Sequence, residues 1–341
     1  MHRAAIISLS VLFMLACVCT AHAQEEDLER EKLARTTMKF LNISADPRAA
    51  GLGDAVTALS EGSTSLFYNP AGMGTQTTFL DVAIAQTQWF VDVKYNFASM
   101  SVRPLDGRFG VFGVSVLAAD YGNFEETIRA DTEEGFVDLG TFSPSAIGVG
   151  LGYARALTDR FAVGGHARYV RQNLGNSVMS VQEDGAYDRA DNDEAVFAFD
   201  FGMRYATGFE SLVFAVTARN FARKVEYAEE SYELPLLLKI GVSMNVLDLT
   251  NISGDMHSLV VGIDTESPRD YSEQIKVGGE YTFMNTISLR AGYVFPTDEQ
   301  GINAGVGVHR TIGGLGIGAD YAYTDFGVFS EVHRIGFQLS F

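Results

Sequence analysis

Cysteine is nearly absent from this sequence. The 341 residues contain only Cys17 and Cys19, and both lie in an apolar run near the N-terminus. We expect this run to be removed as part of a signal peptide, which leaves the mature chain without a thiol. The sequence therefore argues against disulfides, thiolate metal sites and a cysteine nucleophile in the mature protein.

Long apolar runs are also missing after residue 23. A membrane-spanning helix needs about 20 consecutive apolar residues, and no later segment of this chain provides them. The other way to cross a bilayer is a closed sheet in which every backbone group is paired. The composition favours this all-β alternative, because it combines 35 Gly, 24 Phe and 14 Tyr with only seven Pro and one Trp.

Basic residues are scarce relative to acidic ones. The chain has 25 Lys and Arg against 43 Asp and Glu, which gives a net charge of -18 and a pI near 4.7. A chain of this charge is not expected to bind nucleic acid or an anionic lipid surface through bulk charge. We therefore expect no nucleic-acid partner.

The N-terminus has the three parts of a secretory signal peptide. Arg3 supplies a basic charge, an apolar run extends from Ala4 to Val18, and Ala21-His22-Ala23 satisfies the small-x-small rule for cleavage. We predict a signal peptide over residues 1–23 and export from the cytoplasm. A retained membrane anchor and lipidation at Cys17 are the alternatives.

Three further regions follow the signal peptide. Residues 24–35 are densely charged and predict a solvated periplasmic segment. Residues 36–77 are rich in small residues, and they predict a short helix capped by Asp46 with Pro47 at its first position. Residues 78–341 have the period-two pattern of β-strands.

The alternation in this last region favours a transmembrane barrel. In residues 196–206, Phe, Met and Tyr alternate with Ala, Asp, Gly and Arg. A soluble β-sandwich has the same alternation. Charged residues in mid-strand, and aromatic residues at the strand ends, favour the lumen and the girdles of an outer-membrane barrel instead. The predicted lumen residues are Asp200, Arg204, Arg219, Lys276, Glu280, Arg290, Asp320 and Arg334.

The segments predict a 14-stranded antiparallel transmembrane β-barrel. The number is even, as single-chain bacterial barrels require, and tight connections alternate with long ones at 122–142, 174–193 and 223–234. Short periplasmic turns and longer outer loops then place both termini in the periplasm. The predicted strands are 78–90, 93–103, 108–121, 143–156, 160–173, 194–206, 210–222, 235–247, 256–266, 270–283, 285–295, 299–310, 312–324 and 330–341.

The C-terminal segment alternates strictly and ends on an aromatic residue. Phe337, Leu339 and Phe341 fall on one face of this last strand. This pattern is similar to the C-terminal signal by which outer-membrane barrels are recognised for assembly. We therefore expect the barrel assembly machinery to be a partner of the chain.

No motif for catalysis or for a cofactor stands out. HExxH and GxSxG are absent, and the Gly-rich strings at 148–152 and 313–318 lie in or between predicted strands, where we attribute them to aromatic packing. Acidic pairs such as Glu125-Glu126 and Glu133-Glu134 fall in predicted outer loops, and we interpret them as solvated residues that face the lipopolysaccharide layer. We expect no enzyme activity, no metal and no cofactor.

The N-terminal region resembles a known family. Two stretches, residues 40–55 and residues 65–72, resemble the N-terminal signature of the PorV/PorQ family, which is similar to FadL-type transporters. The Asn-Pro-Ala element is shared with those transporters. The resemblance implies a fourteen-stranded barrel with an inward-folded plug, whose motif residues are Pro47, Arg48, Gly51, Gly53, Asn69, Pro70, Ala71 and Gly72.

The resemblance leaves two functions open. In the PorV branch, it implies binding of secreted proteins in type IX secretion and their transfer to a surface sortase. In the FadL branch, it implies passive transport of a hydrophobic ligand through the wall. The predicted inward faces are mostly Gly and charged residues, which favours protein binding. An apolar pocket formed by the plug is the alternative, and its candidate residues are Leu52, Val56, Leu59, Leu66 and Phe67.

Overall fold

The computed structural model describes residues 36–182, 186–227, 230–250 and 256–341. The described residues form a closed antiparallel barrel of fourteen strands, which confirms the predicted fold class. The predicted signal peptide and the charged segment 24–35 lie outside the described residues. In the part of the chain that the structure describes, no helix is long and apolar enough to cross a membrane.

Eighteen strands can be assigned in the described ranges, of which four form two small hairpins outside the barrel. They are β1 Leu80–Gln88, β2 Lys94–Val102, β3 Val111–Asp120, β4 Phe124–Arg129, β5 Phe136–Phe142, β6 Ser145–Thr158, β7 Phe161–Val181, β8 Tyr187–Ala206, β9 Val213–Ala222, β10 Val225–Tyr227, β11 Glu230–Tyr232, β12 Leu237–Asn245, β13 His257–Pro268, β14 Gln274–Phe283, β15 Ile287–Phe295, β16 Asn303–Ile312, β17 Leu315–Asp325 and β18 Glu331–Ser340.

Helical structure is short and lies mainly before β1. Within the described ranges, one α-helix, α1 Pro47–Gly51, is accompanied by several 3₁₀ turns. Three of these turns belong to the segment 36–77, which we call the plug because it lies inside the barrel. The 3₁₀ turns are Lys39–Asn42, Ser63–Phe67, Pro70–Thr75, Pro104–Gly107, Val246–Leu249 and Gly327–Phe329.

The two ends of the barrel differ in their connections. At the short-turn end, tight turns such as residues 159–160, 284–286 and 313–314 join the strands. At the long-loop end, residues 121–144 connect β3 to β6, and residues 223–236 connect β9 to β12. Each of these two long connections contains a two-stranded hairpin, which the sequence analysis treated as loop.

Strands β7 and β8 are much longer than predicted. They were predicted as 160–173 and 194–206, but their pairing continues to Val181 and Tyr187. Sequence periodicity missed this extension because bulges interrupt the register after Asn173 and Val178. The extension projects beyond the barrel beside the β4–β5 hairpin, and Arg189 forms an ion pair with Glu126 at 2.7 Å.

The barrel closes between its first and last strands. Residues of β1 pair with β18 from Asp81 opposite Ser340 to Gln88 opposite His333. The backbones of Leu80 and Phe341 exchange two hydrogen bonds of 2.8 and 3.0 Å beyond the last strand residue. The three residues of the predicted assembly signal, Phe337, Leu339 and Phe341, have exposed side chains on the outer surface.

The two ends of the described chain lie at opposite ends of the barrel. The first described residue, Thr36, forms a β-bridge with Glu233 and donates its hydroxyl to Asp270, and both partners belong to long-loop connections. Phe341 lies at the short-turn end. Residues 24–35, which would carry the mature N-terminus, lie outside the described residues, so the placement of both termini in the periplasm stays a prediction.

Candidate functional site: the plug in the barrel lumen

The plug begins its only α-helix where the sequence predicts one. Asp46 is the N-cap of α1, and its carboxylate accepts a hydrogen bond from the backbone N–H of Arg48 at 3.1 Å. Pro47 occupies the first helical position, where a backbone N–H would have no partner within the helix and none is therefore lost. Burial, together with the nearby Asp320 carboxylate, raises the pKa of Asp46 to about 6.

Glycines of the wall allow the plug backbone to approach closely. A Cβ atom on Gly278 or Gly292 would overlap the backbone of Leu52, just after α1. A Cβ on Gly51 would lie 3.0 Å from the Cα of Gly305, and Gly53 has a positive φ of 62°. Of the three predicted motif glycines, Gly51 is therefore favoured by its contact with the wall and Gly53 by its backbone conformation.

The predicted Gly-rich string at 148–152 also contacts the plug. A Cβ on Gly152 would overlap the side chain of Leu66, and a Cβ on Gly113 of the neighbouring strand would meet Met73. The sequence analysis attributed the string to aromatic packing between strands. The structure corrects this for Gly152, which leaves room for apolar plug residues.

The Asn-Pro-Ala-Gly element anchors the plug to β7 and β8. It forms a 3₁₀ turn with Asn69 as N-cap, where the sequence predicted a simple turn. The Asn69 amide donates to the carbonyl oxygens of Thr57 at 3.0 Å and Met203 at 3.1 Å, and its oxygen accepts from the N–H of Ala71 at 3.1 Å. A Cβ on Gly202 would overlap the Asn69 oxygen.

The other residues of this element are also enclosed. Pro70, Ala71 and Gly72 are buried, and a Cβ on Gly164 of β7 would overlap the carbonyl group of Pro70. A Cβ on Gly72 would overlap the carbonyl oxygen of Ser60 within the plug. The whole element therefore fits between the plug and the wall with no space for additional side-chain atoms.

A chain of opposite charges connects the plug to four strands. Arg48 donates to Glu280 through Nε at 3.0 Å and Nη2 at 2.7 Å. Glu280 also binds Arg290, whose Nη1 donates to Asp320 at 2.5 Å, and Asp320 lies 3.0 Å from His309 Nε2. The predicted lumen residues Glu280, Arg290 and Asp320 thus belong to one network with a predicted plug residue.

A second charged group surrounds Glu266. Lys239 and Lys276 each place Nζ 2.6 Å from Glu266 Oε2. Nearby, Asp264 accepts from the N–H of Thr57 at 2.9 Å and from its hydroxyl at 2.6 Å. The sequence analysis named only Lys276 of these wall residues. The others occupy inward positions of the same alternation, and that pattern is the signal that could have found them.

Asp200 is the centre of a third buried group. Its carboxylate binds Arg168 at 2.7 Å and His166 at 3.2 Å, and it accepts from the N–H of Asn220 at 2.7 Å. Asn220 has a φ of 63° and lies in a β-bulge, so that Arg219 and Asn220 both point inward. Sequence periodicity cannot locate such a bulge, because it reverses the alternation.

The remaining predicted lumen residues contact the plug or the long-loop end. Arg219 donates to the carbonyl oxygen of Leu41 at 3.1 Å, and Arg204 lies 3.2 Å from Glu61. Arg334 donates to Thr324 at 2.8 Å and faces the Trp89 ring. Of the eight predicted lumen residues, seven are buried and Arg204 is partly buried.

The inward faces also contain a large apolar sector, contrary to the expectation of mostly Gly and charged residues. Tyr95, Phe97, Leu117, Val170 and Val196 of the wall are buried there. They pack in one cluster with plug residues that include Met38, Phe40, Leu41, Leu52 and Phe67. The plug therefore fills the apolar sector with its own side chains.

A cavity of about 610 Å³ lies between the plug and the short-turn end, and we call it the polar cavity because charged residues line it beside apolar ones such as Phe67 and Phe97. Asp46 and Arg48 of the plug line it together with Asp81, Glu280 and His309 of the wall. These charged groups would have to be desolvated by an apolar ligand, which disfavours its binding. The cavity suits water, ions or a polar segment.

Solved structures share this fold. The chain matches the toluene transporter TbuX of Ralstonia pickettii with 13% identity, a TM-score of 0.55 and coverage of 85% of this chain and 98% of that one. The toluene transporter TodX of Pseudomonas putida gives 13%, 0.54, 86% and 96%, and a FadL homologue of Pseudomonas aeruginosa gives 13%, 0.52, 87% and 97%. At this identity, the similarity establishes the fold alone.

Sequence comparison identifies the family. No curated protein matches the chain. A sequence model described as type IX secretion system protein PorV matches residues 25–248, which is more than half of the chain. A membrane barrel of this type is a protein of the bacterial outer membrane. The chain, with its fourteen strands and its plugged lumen, therefore belongs to the PorV family.

Proposed function

We propose that this barrel binds secreted proteins or secretion components at its long-loop end, in a role like that of type IX secretion, and that cargo does not pass through its lumen. The observation that carries this proposal is the firmly anchored plug. Three buried polar networks, around Asp200, Glu266 and Glu280, hold the inward-facing side chains of the wall in fixed positions around the plug.

Opening the lumen would require several of these contacts to break together. Withdrawal of α1 would separate Arg48 from Glu280, and withdrawal of the following turn would separate Thr57 from Asp264. Each separation removes hydrogen bonds from a buried carboxyl group, although Glu280 keeps Arg290 as a partner, and each lost bond to a charged group costs about 1.5 to 3 kcal/mol. These contacts therefore favour a lumen that stays closed by the plug.

The long-loop end has a structured surface that a protein partner could contact. The extension of β7 and β8, with the β4–β5 hairpin beside it, presents exposed apolar side chains at Phe124, Phe136, Met179 and Val181. Longer loops face the outside of outer-membrane barrels. We therefore place this surface outside the cell, where the predicted partners, secreted proteins and a surface sortase, would meet it.

The alternative function is passive transport of a hydrophobic small molecule. The apolar sector around Phe97 and Leu117 favours it, and two of the similar structures are toluene transporters by title. The same sector is filled by Met38 and Phe40 of the plug, and the remaining cavity has charged residues in its lining beside apolar ones. These two features favour the protein-binding role over transport.

Co-purification tests the proposal. The native host would express the full chain and a variant in which the hairpin residues 124–142 are replaced by a Gly-Ser linker. We expect secreted proteins or secretion components to be enriched with the full chain and to be lost with the variant. A matched control replaces loop residues 297–301, at the same end of the barrel, and should retain the partners.

The transport alternative makes the opposite prediction in the same experiment. Organic extraction of the purified barrel would then yield a fatty acid or hydrocarbon at about one molecule per barrel, a stoichiometry typical of a specific pocket. Recovery of such a ligand without any secreted protein or secretion component would refute the proposed function.

We also propose that the barrel is not an enzyme, although three of its residues are arranged like a catalytic triad. Ser115 Oγ lies 2.9 Å from His166 Nε2, and His166 Nδ1 lies 3.2 Å from Asp200. All three side chains are buried, and the lining of the polar cavity does not include them. Asp200 is shared with Arg168, which supports a structural role for the group.

A further inference from the structure

Two neighbouring loops present exposed apolar side chains at the long-loop end of the closing seam. Val91 is at the tip of the connection between β1 and β2, with 82% of its surface exposed, and Val328 and Phe329 of the connection between β17 and β18 are 80% and 53% exposed. The loops are neighbours because β1 pairs with β18, and the rings of Phe90 and Phe329 stack with centroids 5.6 Å apart. We call Phe90, Val91, Val328 and Phe329 the loop patch.

The loop patch has a fixed base. Trp89 packs against Phe326 with ring centroids 5.2 Å apart, and the Arg334 guanidinium group lies 5.8 Å from the centre of the Trp89 ring. Each loop is also closed by a backbone hydrogen bond, from the Trp89 N–H to Val93 at 2.9 Å and from the Phe329 N–H to Phe326 at 3.1 Å. The apolar side chains are therefore held in position before a partner arrives, which lowers the entropy cost of binding.

Folding alone gives no reason for a valine at the first loop tip. Val91 has a φ of 56° and Asp92 a φ of 59°, in the left-handed region that Asn and Gly normally occupy and that β-branched residues rarely adopt. An exposed side chain also gains little from the burial of apolar surface. Contiguous exposed apolar residues that are rimmed by polar ones are typical of a binding surface.

Carboxylates flank the loop patch. Asp92 lies in the first loop, and Asp325 and Glu331, directly opposite each other in β17 and β18, flank the second. All three are exposed, and we call them the acidic rim. Like charges in directly opposed positions repel each other. Within the described ranges, the acidic rim forms no ion pair with Lys or Arg, and its contact with a basic side chain is that of Glu331 with His333, at 3.9 Å.

The acidic rim discriminates between possible occupants of the loop patch. The phosphate groups of lipopolysaccharide have the same sign of charge, and like charges across an interface disfavour it. A second copy of the chain, related by a two-fold axis, would place the two acidic rims opposite each other. Residues 24–35 of this chain contain five acidic and three basic residues, so their net charge is negative as well. A different protein with a positively charged surface is complementary to the rim.

We propose that the loop patch and its acidic rim bind a second protein through an apolar side chain flanked by Lys or Arg. The apolar side chain packs against the loop patch, and the flanking cations pair with the acidic rim. One contact thus covers the exposed apolar surface and relieves the repulsion between Asp325 and Glu331. The inference rests on the proposed function in that it places a protein at the long-loop end, but it concerns different loops from the β4–β5 hairpin.

Site-specific photo-cross-linking in the native host tests the contact. A benzophenone amino acid would replace Val91 or Val328 in the full chain, with Leu105 at the short-turn end and the exposed wall residue Val306 as control positions. We expect the same protein to be captured at Val91 and Val328 and at neither control. Peptide mapping should place the cross-linked site of that protein beside Lys or Arg.

Neutralising the acidic rim tests the role of charge. The triple variant is Asp92→Asn, Asp325→Asn and Glu331→Gln. An amide oxygen at position 325 can still accept from the Gly327 N–H, as Asp325 does at 2.9 Å, so the loop should keep its shape. We expect about tenfold less cross-linked product, because three exposed ion pairs are lost together. A matched variant of exposed residues at the short-turn end should leave the yield unchanged, and it consists of Asp106→Asn, Asp159→Asn and Glu210→Gln.

Trp89 gives an independent readout, because it is the single tryptophan of the sequence and lies at the base of the loop patch. The purified native barrel would be titrated with a peptide that has one Phe between Lys residues, and with the same peptide carrying Glu in place of Lys. We expect the Lys peptide to shift the fluorescence of Trp89 and the Glu peptide to leave it unchanged. The response should weaken at high salt.

Several results would overturn the inference. They are a cross-link to lipopolysaccharide, to a second copy of the chain or to residues 24–35, an acidic sequence around the cross-linked site, and equal Trp89 responses to the two peptides. The same photo-cross-linker at Val181, on the β7–β8 extension, separates the two proposals. A partner captured at Val181 but not at the loop patch would refute this inference and leave the proposed function intact. A partner captured at the loop patch but not at Val181 would support the inference and count against the hairpin surface of the proposed function.

Discussion

Arg48 of the plug and Glu280 of β14 form a two-pronged ion pair across 232 positions of sequence, with N–O distances of 3.0 and 2.7 Å. About a third of the Arg48 side chain is exposed, whereas that of Glu280 is buried. The pair joins the predicted plug motif to the predicted lumen residues, so its removal should loosen the plug.

The variant Arg48→Ala leaves Glu280 with Arg290 as its remaining cation. We expect a loss of about 2 kcal/mol in the free energy of unfolding, less than for a fully buried pair because Arg48 is partly exposed. We also expect higher ion conductance in planar bilayers. The control is Arg171→Ala, which removes an ion pair with Asp193 at the outer surface and should leave conductance unchanged.

The variant Gly202→Ala tests the contact between the Asn-Pro-Ala-Gly element and β8. Its methyl group would overlap the Asn69 oxygen and displace the bonds from Asn69 to Thr57 and Met203. We expect a loss of about 2 kcal/mol and increased conductance. The matched control is Gly279→Ala in β14, where an added Cβ would have no atom within 4 Å. Equal conductance of the two variants would contradict an anchoring role for this element.

The stability of the plug should depend on pH through Asp46. Its pKa is raised from 3.8 to about 6, so the folded protein binds this proton more tightly than the unfolded chain. The contribution of Asp46 to stability is therefore greatest below about pH 4 and is lost as the pH rises through about 6.

Asp46→Asn removes this titration and retains a good N-cap. We expect the variant to be more stable than the native chain at pH 7.5, by up to about 2 kcal/mol, and equally stable near pH 4. Thermal unfolding in detergent at both pH values measures the difference. A gain that is the same at both pH values would show that the carboxyl proton is not responsible.

The triad-like group should be structural. We expect Ser115→Ala to lower stability by about 1 kcal/mol, because it removes one partner of His166. A fluorophosphonate probe should not label the folded native barrel. Labelling of Ser115 that disappears in the variant would instead indicate an active nucleophile.

Much of the barrel follows from its sequence because the two faces of each strand meet different surroundings. In β8, Phe197, Phe199 and Phe201 face the lipid while Asp200 faces the interior, so the alternation identifies the strand and its orientation. The same reasoning located the eight charged lumen residues. Chain closure at Phe341 followed from the aromatic end of the last strand.

The partners of these residues could not be derived in the same way. The sequence places Glu280 and Asp320 on inward faces, but the contact of Glu280 with Arg48 depends on how the plug folds inside the barrel. The bulge at Asn220 reverses the alternation, and those in β7 conceal the extension. The apolar sector was missed because Tyr95 and Phe97 alternate with polar outward residues, Lys94 and Asn96, against the rule used elsewhere.

Asp81 connects three parts of the molecule at the closing seam. One carboxylate oxygen accepts from the N–H of Ser63 in the plug at 2.8 Å, and the other accepts from Gln338 of β18 at 2.9 Å. We therefore expect β1 and β18 to pair, and so to close the barrel, after the plug has folded inside it. Loss of either contact should slow this closure and lengthen the time for which the newly inserted chain is exposed to quality-control proteases of the cell envelope.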